Sequence, residues 1–297
     1  MIVWLSLAAA CLIGLGFVAQ QHAAYTEPLS EVLHPRLILD LLHKPLWLAG
    51  IGLMFCGQVL GAIALGRASV SWVEPLLATN LLFALIAAHV VYKQHFNLAE
   101  WLGAVLVCGG VALFLFFGRP QEAKVADPAD PLSWRWLAMI PAAALSALLV
   151  VIAVRASLQV KAMLLAAAAG VLYGMQDVLT HSALAVFGGG FGALLRTWQP
   201  YAVPGVAVVG LFLNQSAFDA APLRVSLPAT TAAEPVTGIV LGIVVFSERL
   251  QVSAAALAAE VVGLIAMVTG ILLLGRSPFL AKPGEAGHPR HARRRHS

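Results

Sequence analysis

The 297-residue chain is short of charge. Only 11% of its residues are Asp, Glu, Lys or Arg, and 60% are hydrophobic, whereas a soluble domain carries about 25% charged residues. So little charge excludes a globule that faces water and fits a chain whose solvent is lipid. Cysteine is equally sparse: Cys11, Cys56 and Cys108 stand far apart inside apolar runs, which excludes a disulfide framework or a zinc site. There is no glycine-rich nucleotide loop, no metal-ligand spacing and no nucleophile–base set, so no enzymatic chemistry and no cofactor is expected. The opening Met1-Ile2-Val3-Trp4 lacks a basic segment and a cleavage site. A retained first span is expected there, not a signal peptide.

What is present is a series of long apolar runs. A bilayer core is crossed by about 20 apolar residues in helical conformation. Nine runs qualify: 2–20, 46–66, 70–92, 98–118, 134–154, 161–187, 201–218, 226–247 and 254–275. Each must be helical, because lipid offers no partner to a loose backbone group. The expected fold class is therefore an all-α polytopic membrane protein. Its expected parts are a first half over 1–118, a polar, proline-rich linker over 119–133, a second half over 134–275 and a basic, disordered tail over 276–297. Within 21–45, Leu37, Ile38, Leu41 and Leu42 fall at helical spacing, which predicts a short helix lying in the interface. Trp4, Trp47, Trp72, Trp101, Trp134 and Trp136 fall near span ends, as an aromatic belt would.

Basic residues set the orientation. With the C-terminus inside, Arg36, Lys44, Lys93, Arg155, Lys161, Arg224, Arg276, Lys282, Arg290, Arg293, Arg294 and Arg295 are cytoplasmic. Six face the other side: Arg67, Arg119, Lys124, Arg135, Arg196 and Arg249. The excess favours an outer N-terminus and a cytoplasmic C-terminus in the cell membrane. The tail reads as an anchor on anionic lipid, and no nucleic-acid partner is expected. His288, His291 and His296 lie in that tail, where any metal binding would be incidental.

The chain also repeats itself at an offset of 160. Glu74-Pro75 returns as Glu234-Pro235, Glu100 as Glu260, Gly103 as Gly263, Gly110 as Gly270 and Leu113 as Leu273. In the topology above the third run points inward and the eighth outward. The copies are therefore antiparallel across the membrane, the inverted-repeat design of secondary transporters. An internal duplication favours a monomer.

Several stretches carry a family likeness. They are Gly16-Phe17-Val18-Ala19-Gln20-Gln21, Val73-Glu74-Pro75-Leu76-Leu77-Ala78-Thr79-Asn80-Leu81-Leu82-Phe83-Ala84, Glu100-Trp101-Leu102-Gly103, Asn214-Gln215-Ser216-Ala217-Phe218, Ser226-Leu227-Pro228-Ala229-Thr230, Glu234-Pro235 and Glu248-Arg249-Leu250. Through them nearly the whole chain resembles the drug/metabolite transporter superfamily. It is most similar to a branch of actinobacterial membrane proteins related to the NIPA magnesium transporters. The resemblance implies five helices per half. This chain has four in its first half, 21–45 standing where a second span is usual, and nine in all is similar to the NIPA arrangement.

Ionisable groups inside spans are expensive unless they meet a partner or a wet cavity. Glu74, Asp177 and Glu234 stand out. Pro75 and Pro235 have no N–H and free the carbonyls of Ser71 and Thr231, each about one turn from a carboxylate. A carboxylate beside a free carbonyl suits a cation, a proton or a substrate donor. The alternative is that the prolines only kink helices and that Glu74 reaches interfacial water. Glu74 is expected toward the outer end of its helix and Glu234 toward the inner end of its own, on opposite sides of a midplane cavity. Tyr173, Asp177 and His181 recur every four residues and share a helix face, with Gln176 and Thr180 as a second stripe. An Asp177–His181 pair can relay protons, or it can simply fix one helix against its neighbours. His89 is expected at the interface. Gln20, Gln21, Gln58, Asn80, Asn214 and Gln215 either line a polar route or join helices. Gly170-x-x-x-Gly174 reads as a packing motif. Glu100 and Glu260 favour helix N-termini.

The function expected from these residues is alternating-access transport of a small polar solute, metabolite or drug between helices 1, 3, 6, 7 and 8. Coupling to protons would run through Asp177–His181 or Glu234. Magnesium transport is the alternative that the resemblance implies, with Glu74 and Glu234 as oxygen donors. A flippase for lipid-linked intermediates and a non-transporting scaffold are further readings. The partners expected are membrane lipid and the solute or ion itself. The orientation is testable with reporters: green fluorescent protein fused after Ser297 should fluoresce, and alkaline phosphatase fused there should be inactive. The reverse pattern would place the tail outside.

Overall fold

Main-chain hydrogen bonds have to close within each apolar run, and they do. The computed structural model describes residues 1–24, 41–92, 98–118, 134–187, 190–221, 223–246 and 254–274. Among them are nine helices long and apolar enough to cross a membrane. They are α1 (Ile2–Ala24), α2 (Pro45–Leu65), α3a (Val70–Leu77) continued by α3b (Asn80–Tyr92), α4 (Leu98–Gly118), α5 (Met139–Val154), α6 (Leu158–Phe187), α7 (Gln199–Ala220), α8 (Leu223–Phe246) and α9 (Ala254–Leu274). A 3₁₀ turn, Trp134–Ala138, leads into α5, and a short helix, Phe191–Leu194, precedes α7. The linker 119–133, the tail 276–297, residues 25–40, the side chain of His89 and Glu248–Leu250 lie outside the described residues.

The outside is as apolar as lipid requires. Val105, Phe116, Leu148, Val151 and Ile265 are all exposed. α6 is the most enclosed span and α5 the least. Around α6 pack α5, α7 and α8, and α1 packs on α2 and α3b. Leu41, expected in an interfacial helix, is instead fully buried, in a core cluster with Phe17, Trp47 and Phe218 that both halves share.

The third span is broken where the sequence reading had one helix. Pro75 offers no N–H to the Ser71 carbonyl. The last regular bond runs from the Ala78 amide to the Glu74 carbonyl at 3.0 Å. Thr79 then turns the chain more tightly: its amide and its hydroxyl both donate to the Leu76 carbonyl, at 3.2 and 2.6 Å. A hydroxyl that bonds its own backbone competes with the helical ladder, and α3b restarts with the Thr79 carbonyl accepting from Leu82 at 2.9 Å.

The repeat is visible as a crossed seam. α4 packs along α9. A methyl group on Gly110 would stand 2.5 Å from the Gly263 carbonyl oxygen, and one on Gly263 would stand 2.8 Å from that of Gly110. Gly103 and Gly270 meet in the same reciprocal way, at 3.1 and 2.7 Å. In the repeat, Gly103 corresponds to Gly263 and Gly110 to Gly270. Each glycine thus faces the equivalent of the other, as two copies related by a two-fold axis in the membrane plane must. α4 and α9 thus meet antiparallel, as the expected inverted duplication requires.

Because backbone meets backbone at that seam, a side chain there forces the helices apart. Gly110→Leu should destabilise the protein by about 1–3 kcal/mol, the usual cost of overpacking. It would be read as a lowered midpoint of thermal unfolding in detergent. Gly109→Leu, at a position with nothing within 4 Å, should leave the midpoint unchanged.

Candidate functional site

Three helices bring the acidic side chains together. Glu74 ends fully buried on α3a. Its carboxylate occupies the space that a Cβ at Gly238 would need, so α8 accepts it only because residue 238 is glycine. Gly238 lies one turn beyond Glu234, about 6 Å along the helix axis. On the third side α6 presses its backbone against α8. A methyl group on Gly174 would stand 2.5 Å from the Glu234 carbonyl oxygen and 2.8 Å from the Gly238 nitrogen, and one on Gly170 would stand 2.5 Å from the Thr230 carbonyl oxygen. The Gly170-x-x-x-Gly174 motif is therefore a packing device, and the approach it permits carries Asp177 into the same place. The Asp177 side chain interacts with that of Glu74, and it shares an electrostatic field with Glu234. Tyr173, one turn earlier, also lies in the field of Glu234.

This differs from the sequence reading in two respects. Glu74 and Glu234 are linked through Gly238 and Asp177, closer company than the opposite sides of a cavity on which they were expected. His181, expected to pair with Asp177, has its own contacts. Its Nδ1 lies 2.6 Å from the Leu65 carbonyl oxygen and its ring packs edge-on against Phe246, centroids 4.7 Å apart. A carbonyl only accepts, so Nδ1 carries the hydrogen in that bond. Helical spacing put Asp177 and His181 on one face correctly; the neighbours across that face separate their contacts.

Gln20, Ser71, Asn80, Asn214, Gln215 and Thr231 are buried too, Gln58 on α2 and Thr180 on α6 are partly exposed, and the side chain of Gln21 lies outside the described residues. The buried ones fall into two groups. Thr231 donates to Asn80 Oδ1 at 3.2 Å, tying α8 to the restart of α3b. The neighbouring Thr230 hydroxyl lies 3.1 Å from both Asn214 Oδ1 on α7 and the Ala166 carbonyl on α6. Ser71 is fully buried on α3a. α8, by contrast, runs unbroken through Pro235. In the second group Gln215 on α7 donates to Gln20 on α1, and Gln20 donates to the Met54 sulfur on α2. Trp47, at the start of α2, donates to Gln215 Oε1 at 3.2 Å. Trp47 was expected in the aromatic belt. It is buried, because its N–H finds an acceptor that lipid lacks. Phe17 and Phe218 meet edge-on beside this chain, centroids 5.9 Å apart.

Sequence reasoning passed over Gly238 and Met54. The signal for Gly238 was its place one turn after Glu234; Met54 carried none.

Chemically, three buried carboxyl groups in one enclosure are a place for positive charge. Two unit charges 4 Å apart interact by roughly 4 kcal/mol at an effective dielectric of about 20. The interaction is repulsive between two carboxylates and attractive once a cation sits among them. Among the described residues no group of three or more His, Cys, Asp or Glu side chains is arranged to hold a metal ion directly.

Comparison with known proteins then places the chain. Residues 1–278 match the family model for the magnesium transporter NIPA. An uncharacterized protein of Corynebacterium glutamicum is 28% identical over 282 residues, covering 92% of this chain and 93% of its own length. A probable magnesium transporter of Arabidopsis thaliana, NIPA9, is 24% identical over 250 residues, 81% of this chain and 72% of that protein. A probable 4-amino-4-deoxy-L-arabinose-phosphoundecaprenol flippase subunit of Pseudomonas fluorescens is 34% identical over 114 residues, 38% of this chain and 96% of its own. No solved structure matches the chain.

The amide chain offers a measurement that is independent of transport. Gln215→Leu would strand the Trp47 N–H and one face of Gln20 in the protein interior. It should cost about 1–2 kcal/mol, seen as a lower thermal midpoint in detergent. An unchanged midpoint would mean that these bonds hold nothing together.

Proposed function

The chain belongs to the magnesium transporter NIPA family, and on that premise we propose that its substrate is Mg²⁺, taken up at the carboxyl cluster of Glu74, Asp177 and Glu234. One observation carries the reading: these three acids, one from each of α3a, α6 and α8, are enclosed together. Intramembrane acids that face inward mark ion and substrate pathways. Magnesium prefers hard oxygen donors, and the cluster supplies carboxylates from three helices. The two inverted halves supply the rocking body that exposes such a site to each side in turn. An organic solute, the first expectation from sequence, has less support than the ion, since the acids outweigh any apolar cradle at this place.

A second reading, movement of a lipid-linked substrate, draws on the likeness to the flippase subunit and on an apolar groove of about 380 Å³. The groove is lined by Thr180, Leu184 and Phe187 of α6, Leu194, and Pro200 and Val203 of α7. It lies at the end of α6 beyond the acids and holds no charged group.

The test is reconstitution. Liposomes that contain the full chain and an entrapped magnesium-sensitive dye should take up Mg²⁺ in a saturable way. Glu74→Gln, Asp177→Asn and Glu234→Gln should each slow uptake by about tenfold or more while leaving the thermal midpoint close to that of the parent. Uptake no faster than in empty liposomes would sink the magnesium reading. Transbilayer movement of a labelled polyprenyl phosphate in the same vesicles would then favour the second.

A further inference from the structure

A cation among three carboxyl groups can be held directly or through its water. The arrangement favours water. Asp177 interacts with both Glu74 and Glu234, and the three do not converge as a cage would. Magnesium is strict about octahedral geometry and gives up its water reluctantly. Beside these acids stand polar atoms that the protein does not satisfy. Asp177 Oδ2, Gln176 Oε1 and Tyr173 Oη are buried on α6 and have no hydrogen-bond partner, in side chains only 3%, 8% and 6% exposed. Left dry, each costs about 1–3 kcal/mol. Residues 173, 176 and 177 share one face of α6, and Tyr173 lies in the field of Glu234, so that face is turned to the acids. Gly210 on α7 is what lets the Tyr173 ring settle there: a Cβ at 210 would stand 2.8 Å from the ring.

The character of these atoms is what selects. A water bound to Mg²⁺ gives its lone pair to the metal and turns both hydrogens outward. Its surroundings must therefore accept hydrogen bonds. An amide oxygen, a phenol oxygen and carboxylate oxygens all accept. We propose that the site recognises the hydrated magnesium ion through its water shell, with Gln176 and Tyr173 as specificity-determining acceptors alongside Glu74, Asp177 and Glu234. This rests on the magnesium reading and deepens it. Ions of the same charge that shed water readily offer a different outer surface and are selected against without any direct ligand.

The probe is cobalt(III) hexaammine, which has the octahedral outline of a hexahydrated magnesium ion, presents N–H donors outward and does not exchange its ligands. Binding to the full-length protein in detergent is measured by calorimetry for Mg²⁺ alone, for the hexaammine alone and for the two in competition. The hexaammine should displace Mg²⁺ competitively. Gln176→Leu should weaken both ligands by a similar factor of about 5 to 10, one lost hydrogen bond, and Gln176→Glu, which keeps the acceptor, should restore both. Double substitution Glu74→Gln with Asp177→Asn should abolish the competition, which ties it to this site. Binding of Mg²⁺ that the hexaammine does not disturb overturns the water-shell proposal and leaves the magnesium reading standing. Absence of Mg²⁺ binding to the parent protein overturns both. Should Gln176→Leu fail to fold, the competition on the parent protein decides alone.

Discussion

A carboxylate in a bilayer has to be surrounded by protein, and the close approach of helices here follows from that need. Enclosing Glu74, Asp177 and Glu234 takes three helices, and none of the three can stand at an ordinary separation. Gly238 gives way to the Glu74 carboxylate, and Gly170 and Gly174 give way to the backbone of α8. In water such glycines would weaken helices. In lipid no hydrophobic force draws one helix to another, and small residues that allow main-chain contact are how spans associate. The acids and the glycines are thus one design: the first are tolerable only because the second bring the walls in.

The same logic governs the duplication. Two copies of a span pair, inserted in opposite senses, meet along α4 and α9 with each glycine facing the counterpart of its own equivalent. That seam is short-range and stiff. Elsewhere the halves meet through side-chain hydrogen bonds, among them Gln20 with Gln215, Asn80 with Thr231 and Leu65 with His181, and through the seating of Glu74 at Gly238. Under the proposed transport reading, these are the contacts that rocking of the halves would have to remake.

Much of this was legible in the sequence, for identifiable reasons. Span number follows from about 20 apolar residues per crossing, and among the described residues each of the nine runs holds a candidate span, the third of them broken at Thr79. The repeat showed because Glu-Pro inside an apolar run is rare enough to be noticed twice. Glu74, Asp177 and Glu234 stood out because a charge in lipid is costly and has to be enclosed, and all three are buried. Sequence does not say which neighbour a face meets. Helical spacing joined Asp177 to His181, whereas packing gave His181 to Leu65 and Phe246. Position near a span end put Trp47 in the belt, and Gln215, 168 residues away, drew it inside. The break at Thr79 escaped because its cause is a hydroxyl bonding its own backbone, which leaves no mark on hydrophobicity.

The unequal halves have a thermodynamic consequence. In a carrier, a perfect inverted duplication makes the inward-facing and outward-facing shapes equivalent by a two-fold rotation, with the same internal energy. α7 breaks that degeneracy. Among the described residues no span of the first half answers it, yet it supplies Gln215 to one end of the molecule, Asn214 to the bond with Thr230, and Gly210 to the seat of Tyr173. The latch it forms with α1 and α2 has no counterpart among the described residues of the first half. Under the proposed alternating-access reading, the two shapes would therefore differ in free energy before any ligand or gradient acts, and the resting population would be biased to one side. Such a carrier would have a direction of readiness written into its helix count.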